Sequence, residues 1–290
     1  FLLFVCGVYV SGYYPACALL RKKPIMLLKG KFQNGRSGER TRKLLVVVQY
    51  TASMILLCGT LIVFAQLNYM RRQSLGVRTD RILVVKFPGP TEGMKIKMEA
   101  MRKAIRKLPL VSKVTCSGSV PGEEVAMFLS NRRTHDALKQ NRLYEMLSCD
   151  PDYMDAYGLE LVAGRGFSED YGDDVNKLVI NETAARTLGY TDYESVIGEE
   201  ISVETIEEPM QVIGVVKDYH QQALNRNYTP IMLFHKDKID WIPQRYISIV
   251  MKPGDSLELV SQISEIWTTY FADSSFDYFF LDQFFDHQYR

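Results

Sequence analysis

The chain of 290 residues is long enough for one or two ordinary domains. Its composition is 47% hydrophobic and 24% charged, with a formal net charge of +1. These values exclude a collagen, a disulfide-stabilised mini-protein, a wholly disordered chain and a strongly basic nucleic-acid-binding protein. The averages hide a division, because residues 1–70 are hydrophobic runs around a basic insert and the remainder resembles a globular domain in composition. Since the chain has no initiator Met and begins within an apolar run, we expect a fragment of a longer protein.

Two long uncharged runs occupy most of the first 70 residues. Residues 1–20 contain no charge, and a helix of about 20 residues spans the hydrocarbon core of a bilayer. Residues 44–70 form the second run, with basic pairs on both sides. A buried core helix rarely runs so long without a charge, and the interruption at Pro15 argues against a signal peptide. The sequence therefore predicts transmembrane helices at 1–20 and 44–70.

The segment between the two runs, residues 21–43, contains nine Lys or Arg residues and one acidic residue, Glu39. Short loops rich in Lys and Arg stay in the cytoplasm, so we expect this linker inside the cell and residues 71–290 outside. The alternative interpretation of a basic loop is a nucleic-acid or anionic-lipid patch. Between two membrane spans, lipid and topology account for the charge, and we expect no nucleic-acid partner.

The remaining residues, 71–290, alternate short strands and helices. A strand at 81–87, an amphipathic helix at 92–107 and a strand at 111–117 predict a β-α-β unit at the start of the domain. A polar stretch at 119–141 follows. Further strands are predicted at 143–149, 176–180, 199–205, 210–217 and 245–251. Helices are predicted at 151–157 with Asp150 as N-cap, at 181–188 from Asn181 and at 256–271 after Asp255, with a helical start at Asp282. We predict an α+β extracytoplasmic domain, with a mixed sheet and two subdomains, attached to transmembrane α-helices.

Three patterns resemble catalytic or ligand-binding motifs but lack the residues that such motifs need. Residues 30–37 nearly match a phosphate-binding loop, yet Arg36 replaces the required Lys. Residues 254–257 read Gly-Asp-Ser-Leu, as in some hydrolases, but no acidic residue stands three positions before any His. Apart from Asp218 and His220, no acid or Cys lies at a metal-ligand spacing from a His. We expect no catalytic residue, cofactor or metal on this chain.

Two cysteines, Cys116 and Cys149, fall in predicted strands outside the membrane, where oxidation is chemically accessible. They would pair if the two strands were neighbours in a suitable register. The sequence leaves this question open, because it does not set the distance between them.

An ordered set of motifs in this domain resembles the periplasmic core domain of MacB/FtsX-type ABC transporter permeases. The family pattern reads D-Y-F, G-R-x-F, V-N-E-x-x-A, I-G and G-V-V-x-D in that order, and only Met154, where Phe is usual, departs from it. The matching residues are Tyr153, Gly164, Arg165, Phe167, Asn181, Glu182, Gly198, Gly214 and Asp218. At the front of the chain, Tyr14, Pro15 and Ala16 look like the end of one permease half.

These motif residues are interpreted as structural. Gly164 and Gly166 flank Arg165 as in a tight turn, and Gly214 within a strand indicates close backbone approach. Arg165 is expected to pair with an acid such as Glu169 or Asp170, or to lie on the surface. Asp218 suits a turn after the strand at 210–217. The family has no catalytic residue whose equivalent could be assigned in this chain.

The resemblance implies an eight-span permease of two similar halves in the bacterial inner membrane, with residues 71–290 on the periplasmic side. This chain would hold the last span of the first half, the linker, and the first span and outer domain of the second. The implied partners are an ABC-type ATPase subunit, a second permease copy or homologue, the lipid bilayer, and a periplasmic adaptor or cell-wall hydrolase.

The implied activity is ATP-driven efflux, lipoprotein release or mechanotransmission, in which the ATPase moves the outer domain. The alternative is a membrane-anchored extracytoplasmic sensor or binding protein without transport. An anchored hydrolase is a third alternative, but it lacks a plausible nucleophile and base.

Overall fold

The computed structural model describes residues 7, 9, 12, 13, 17, 36–72, 75–89, 93–125, 127–134, 141–171, 174–222, 226–238 and 243–287. The chain divides into two compact units, Phe1–Asn68 and Tyr69–Arg290. The predicted span at 1–20 falls largely outside the described residues, and so do Tyr14, Pro15 and Ala16.

Helix α1 extends over Arg36–Arg72 and contains the predicted span at 44–70. Within it, the 25 residues of Arg42–Gln66 are apolar enough to cross a membrane, and their side chains are exposed. At about 1.5 Å per residue, this stretch is longer than the ~30 Å hydrocarbon core. It is the one helix of this kind in the described part of the chain. A long exposed apolar surface is stable in lipid rather than in water.

Residues 69–290 form a mixed sheet with helices on its faces. The strands are β1 Ile82–Lys86, β2 Val111–Ser117, β3 Phe128–Arg133, β4 Arg142–Cys149, β5 Leu161–Gly164, β6 Lys177–Asn181, β7 Glu200–Val203, β8 Met210–Val216, β9 Ile231–His235, β10 Tyr246–Met251 and β11 Asp277–Phe280. The helices are α2 Met94–Ile105, α3 Tyr153–Tyr157, α4 Glu182–Thr187, α5 Ser256–Tyr270 and α6 Leu281–His287. The α+β class and the mixed sheet agree with the expectation from sequence.

The first lobe contains β11, β1, β10 and β2 in that spatial order, with antiparallel neighbours. Helices α2 and α5 cover one face of this sheet. The stripe Met94, Met98, Met101 and Ile105 follows the helical period, and it packs against inward-facing residues of the strands. The predicted β-α-β unit is therefore split: β1 and β2 are not adjacent, because β10 pairs with both and lies between them.

The second lobe is a closed ring of six strands, β4-β3-β7-β8-β6-β9, in which β9 pairs back onto β4. Two pairings within the ring, β4 with β9 and β6 with β8, are parallel. Alternate side chains of the strands point into the ring and form its core, and helix α4 adds Ala184 and Ala185. The two lobes share the ladder contact between Ser117 and Cys149.

Several elements differ from the expectation. Strands β3, β5, β9 and β11 are absent from the predicted strands, and β3 lies in the stretch assigned as polar. Asp150 does not cap helix α3, which begins at Tyr153 with Asp152 in the N-cap position. The Asp150 side chain instead turns inward to accept hydrogen bonds, as described below. By contrast, Asn181 and Asp255 cap their helices as predicted.

The question of a disulfide between Cys116 and Cys149 is answered by the register. Ser117, not Cys116, stands opposite Cys149, so the two sulfurs belong to opposite faces of the sheet. Cys116 packs in the core of the first lobe and Cys149 in the cluster between the lobes. Both are buried free thiols. Burial raises the pKa of each thiol well above its usual value, so both remain protonated and unreactive.

Candidate functional site

Five segments of the domain meet on one hydrophobic cluster that also contains strand residues of both lobes. We call these segments the junction: residues 75–78, 119–125, 153–159, 217–222 and 281–287. The first follows helix α1 in the chain, and the last is helix α6, which ends the described residues. The junction therefore gathers the first and the last described segments of the domain at one place.

The loop at 217–222, which follows β8, holds the segment that comes after α1. The backbone N–H of His220 donates to the carbonyl of Leu75 at 2.9 Å. Gly76 has φ 74°, and a Cβ there would lie 3.1 Å from the backbone of Tyr219. Because neither contact depends on a flexible side chain, the position of residues 75–76 follows the position of this loop.

The same loop also holds the segment at 119–125. The N–H of Gly122 donates to the carbonyl of Gln221 at 2.8 Å. The side-chain amide of Gln221 donates to the carbonyls of Val120 at 2.8 Å and Glu123 at 3.1 Å. Gln221 is buried, so these bonds satisfy its side-chain nitrogen, which would otherwise be costly to bury.

Three tyrosines of the junction, Tyr153, Tyr157 and Tyr219, are fully buried. The rings of Tyr153 and Tyr157 are 4.8 Å apart, and the hydroxyl of Tyr157 lies 2.6 Å from that of Ser248 on β10. Burial raises the pKa of all three phenols above the usual range, so they stay neutral. Tyr153, one of the motif residues, therefore contributes packing rather than an ionisable group.

Asp218 connects the junction to helix α4. Its carboxylate accepts hydrogen bonds from the N–H of Thr183 at 2.9 Å and from the Thr183 hydroxyl at 2.8 Å, and it pairs with Arg186. The carboxylate of Glu182 in turn accepts the N–H of Asp218 at 2.9 Å. Glu182 and Asp218, two motif residues that are far apart in sequence, thus supply hydrogen-bond acceptors. Asp218 accepts from the start of α4, and Glu182 accepts from the turn after β8.

Asn181 acts as a second connector. Its side-chain oxygen accepts the N–H groups of Ala184 and Ile231, each at 2.9 Å, and its amide nitrogen donates to the carbonyl of Thr229 at 2.8 Å. The first of these is the predicted helix cap. The others tie α4 to the start of β9, a contact that local sequence does not indicate.

Gly164 and Gly214 face each other in the register of β5 and β8. A Cβ on Gly164 would overlap the carbonyl oxygen of Ile213, and one on Gly214 would overlap the carbonyl oxygen of Arg165. The two backbones approach too closely for any side chain at either position, as predicted for Gly214 from its place within a strand.

Arg165 pairs with an acid, which was one of the two expectations, but the acid is Asp174 rather than Glu169 or Asp170. Its guanidinium donates to both carboxylate oxygens, at 2.7 and 2.8 Å, and lies 4.2 Å from the ring centre of Tyr171. These hydrogen bonds hold the pKa of Asp174 below its usual value. The bidentate geometry and the buried Asp174 make this a stronger pair than an exposed one.

The remaining motif residues occupy separate places. Phe167 is buried in the cluster between the lobes, and its ring packs edge-on against His235. Gly198 has φ 91°, and its N–H donates to the carbonyl of Val212 at 2.8 Å. Met154, where the family has Phe, packs against Gly166. Gln221 and Gly122 were not singled out from sequence. The one signal for the loop at 217–222 was the motif residue Asp218, which lies three positions before Gln221 in the sequence.

In the described part of the chain, no group of three or more His, Cys, Asp or Glu side chains is arranged to hold a metal ion. The pair singled out from sequence for its spacing, Asp218 and His220, is engaged elsewhere. Asp218 binds the start of α4, and the His220 ring packs on Tyr228 at 4.5 Å. Burial lowers the pKa of His220.

Beside the junction, Glu145 is buried and accepts a hydrogen bond from Gln222 at 3.3 Å. Burial raises the pKa of Glu145, so the folded domain holds this proton more tightly than the unfolded chain does. The wild-type domain should therefore lose stability as the pH rises from the ordinary pKa of a Glu through the raised pKa. We expect Glu145→Gln to be more stable than wild type by about 1 kcal/mol at pH 8, and the difference to vanish near pH 4. Denaturant unfolding of the purified chain at both pH values measures this.

The matched control is Glu160→Gln, because the Glu160 side chain is 65% exposed and pairs only with the exposed Lys217. It should leave the pH dependence unchanged. An equal pH dependence of stability for wild type and Glu145→Gln would show that burial does not raise the pKa of Glu145.

Comparison with known proteins identifies the domain. The family described as "MacB-like periplasmic core domain" matches residues 52–265. The periplasmic region of MacB from Actinobacillus actinomycetemcomitans is similar in structure, with a TM-score of 0.51 and 16% sequence identity over 76% of this chain and 97% of that one. The extracellular domain of the noncanonic ABC-type transporter YknZ from Gram-positive bacteria gives a TM-score of 0.48 and 16% identity, over 68% of this chain and 97% of that one. At these identities the MacB likeness concerns the fold alone. No curated protein sequence matches the chain.

Proposed function

The chain belongs to the family of MacB-like periplasmic core domains, and on this premise we propose that it is the permease subunit of an ABC transporter driven by a separate ATPase. In this proposal, ATP hydrolysis in the cytoplasm displaces the membrane helices. The displacement passes through the junction and moves the domain outside. In this proposal the nucleotide and the catalytic residues belong to the separate ATPase.

The junction is the observation that carries this proposal. The segment after α1 contributes Leu75 and Val77 to the shared cluster, and helix α6 contributes Leu281 and Phe285. The same cluster contains residues of β1 and β10 from the first lobe and of β6 and β9 from the second. Since packed interiors are nearly incompressible, a movement of either end is passed to both lobes.

The charge distribution supports the proposed orientation. The linker at 21–43 is strongly basic, whereas the rest of the chain carries 26 basic and 33 acidic residues. With the apolar stretch of α1 as a span, the linker lies in the cytoplasm and residues 71–290 lie outside the inner membrane. We further propose that the span at 1–20 makes the protein multi-pass.

The transported or moved object is one of three kinds in this proposal: an effluxed small molecule or peptide, a released lipoprotein, or a mechanical target such as a cell-wall hydrolase. A second permease copy or homologue completes the membrane part, and a periplasmic adaptor is a further partner. All three activities use the same conversion of ATPase closure into movement outside.

The first experiment is isolation of the full-length protein in a gentle detergent, followed by an ATPase assay of the copurified material. We expect a stoichiometric ATPase subunit. An unrelated membrane protein with the same tag serves as the control for non-specific capture. If a folded sample carries no ATPase, the permease interpretation is wrong and the anchored sensor or binding protein is favoured.

A second experiment separates association from coupling. In the complex, hydrogen exchange of the peptides covering 75–78 and 281–287 is compared between ADP and a non-hydrolysable ATP analogue. We expect exchange at these two segments to change together with nucleotide. An associated ATPase without any nucleotide-dependent change at the junction would contradict the proposed transmission.

A further inference from the structure

A cavity of about 350 Å³ lies at one end of the sheet of the first lobe, and its described lining contains no motif residue. Lys236 and Asp237, which follow β9 of the second lobe, also line it. It lies between the ends of β1 and β2, the start of α2 and the residue before β10. Its volume is within the range of small-molecule sites in proteins.

The inner part of this cavity is apolar. Phe87, Met98 and Cys116 line it, and each is at least 94% buried. Because burial keeps the Cys116 thiol protonated, it behaves as a small apolar group. The inner wall therefore favours an aliphatic or other apolar group over water.

The outer part of the cavity is predominantly basic. Lys86, Lys95 and Arg245 are exposed at its edge, and Lys236 adds a fourth basic side chain. Two acidic side chains, Glu99 and Asp237, also line it. Glu99 pairs with Lys236 at 2.5 Å, so much of that pair's charge is neutralised within the protein.

Helix α2 contributes to the same positive field. It has 12 residues, and its first residues, Met94 and Lys95, line the cavity. Gly93 precedes it without a side-chain cap. The partial positive charge of this helix end adds to that of the basic side chains.

From these features we infer that the cavity binds a small amphipathic anion, with its apolar tail against Phe87, Met98 and Cys116 and its anionic group near Lys86 and Arg245. The apolar inner part of the lining selects for the tail, and the basic outer part selects for the anionic group. An inorganic anion has no apolar tail for the inner wall, and a neutral or cationic amphiphile does not match the basic edge. The inference concerns ligand binding by the first lobe and does not depend on ATP-driven coupling.

The test uses the full chain in lipid nanodiscs, with decanoate as the probe and hydrogen exchange as the readout. We expect decanoate to slow exchange saturably in peptides covering 93–99 and 243–247. Decanol and decyltrimethylammonium enter the bilayer but lack the anionic group, so they serve as ligand controls. They should give little or no protection at these peptides.

A charge variant provides the second part of the test. Lys86→Gln with Arg245→Gln removes two exposed charges at the cavity and should weaken the apparent affinity for decanoate at least about five-fold. The matched control, Lys103→Gln with Lys107→Gln, removes two exposed charges outside the cavity and should leave the affinity unchanged.

Three results would overturn the inference: no protection by decanoate, equal protection by decyltrimethylammonium, or an unchanged affinity in the Lys86→Gln and Arg245→Gln variant. The first two come from the wild-type protein and do not depend on how any variant folds.

Discussion

Replacement of Gly164 by alanine is expected to lower the free energy of unfolding of the outer domain by about 3–4 kcal/mol. Gly164 has φ 66°, a conformation that costs an L-residue about 1–2 kcal/mol. The added Cβ would also overlap the carbonyl oxygen of Ile213, and overpacking of this kind costs about 1–3 kcal/mol. That carbonyl already accepts the N–H of Arg165 at 2.9 Å, so it cannot move aside without losing a ladder bond.

The chain provides two matched controls for this substitution. Gly189 also has a positive φ, 96°, but no atom lies within 4 Å of the position that an added Cβ would take, so Gly189→Ala should cost only about 1 kcal/mol. Gly89 has neither feature, and Gly89→Ala should be nearly neutral. Denaturant unfolding of the three purified variants measures the series. Equal costs for Gly164→Ala and Gly189→Ala would mean that β5 and β8 are not as close as described.

The second large effect is expected for Arg102→Leu, which should destabilise the domain by about 3–5 kcal/mol. Asp150 is fully buried and accepts hydrogen bonds from the guanidinium of Arg102 at 2.8 Å and from the N–H of Cys116 at 2.9 Å. It also accepts the hydroxyl of Thr115. Removal of Arg102 leaves the carboxylate buried without its counter-ion, and this is what makes the loss large.

The double variant Arg102→Leu with Asp150→Asn separates this explanation from a simple loss of packing. Asn is neutral, its oxygen can accept the N–H of Cys116, and its amide can donate to the hydroxyl oxygen of Thr115. The double variant should therefore recover a substantial part of the lost stability. The surface pair of Lys217 and Glu160, with side chains 57% and 65% exposed, is the control. Lys217→Ala should leave the free energy of unfolding nearly unchanged, because exposed pairs contribute little to stability. If the double variant is no more stable than Arg102→Leu, the buried charge is not the cause.

The same buried pair shows where reasoning from sequence was wrong. Asp150 precedes a short helix, and its position predicts an N-cap. In the folded domain it lies between α2 and β2, and three donors converge on it. Nothing near Asp150 in sequence indicates Arg102, because their contact depends on how α2 packs on the sheet. Arg165 pairs with an acid, as one expectation had it, but its partner Asp174 lies beyond the turn at 169–171 rather than within it.

The sequence by itself determined the features that depend on neighbouring residues. The uncharged run of α1 meets the length and apolarity of a membrane span, and the stripe of α2 follows the helical period. Asn181 and Asp255 cap helices because the cap needs only the next three residues. The order of the motifs indicated the family.

Only the tertiary structure determined which distant segments of the chain lie next to each other. It places β10 between β1 and β2, closes the six-strand ring through β9, and gathers the junction around the loop at 217–222. Strand pairing joins residues that can lie a hundred or more positions apart, and the partner is selected by burial and register rather than by local preference. The cavity of the first lobe has the same origin, since its apolar wall and basic edge come from segments that meet only when the sheet has formed.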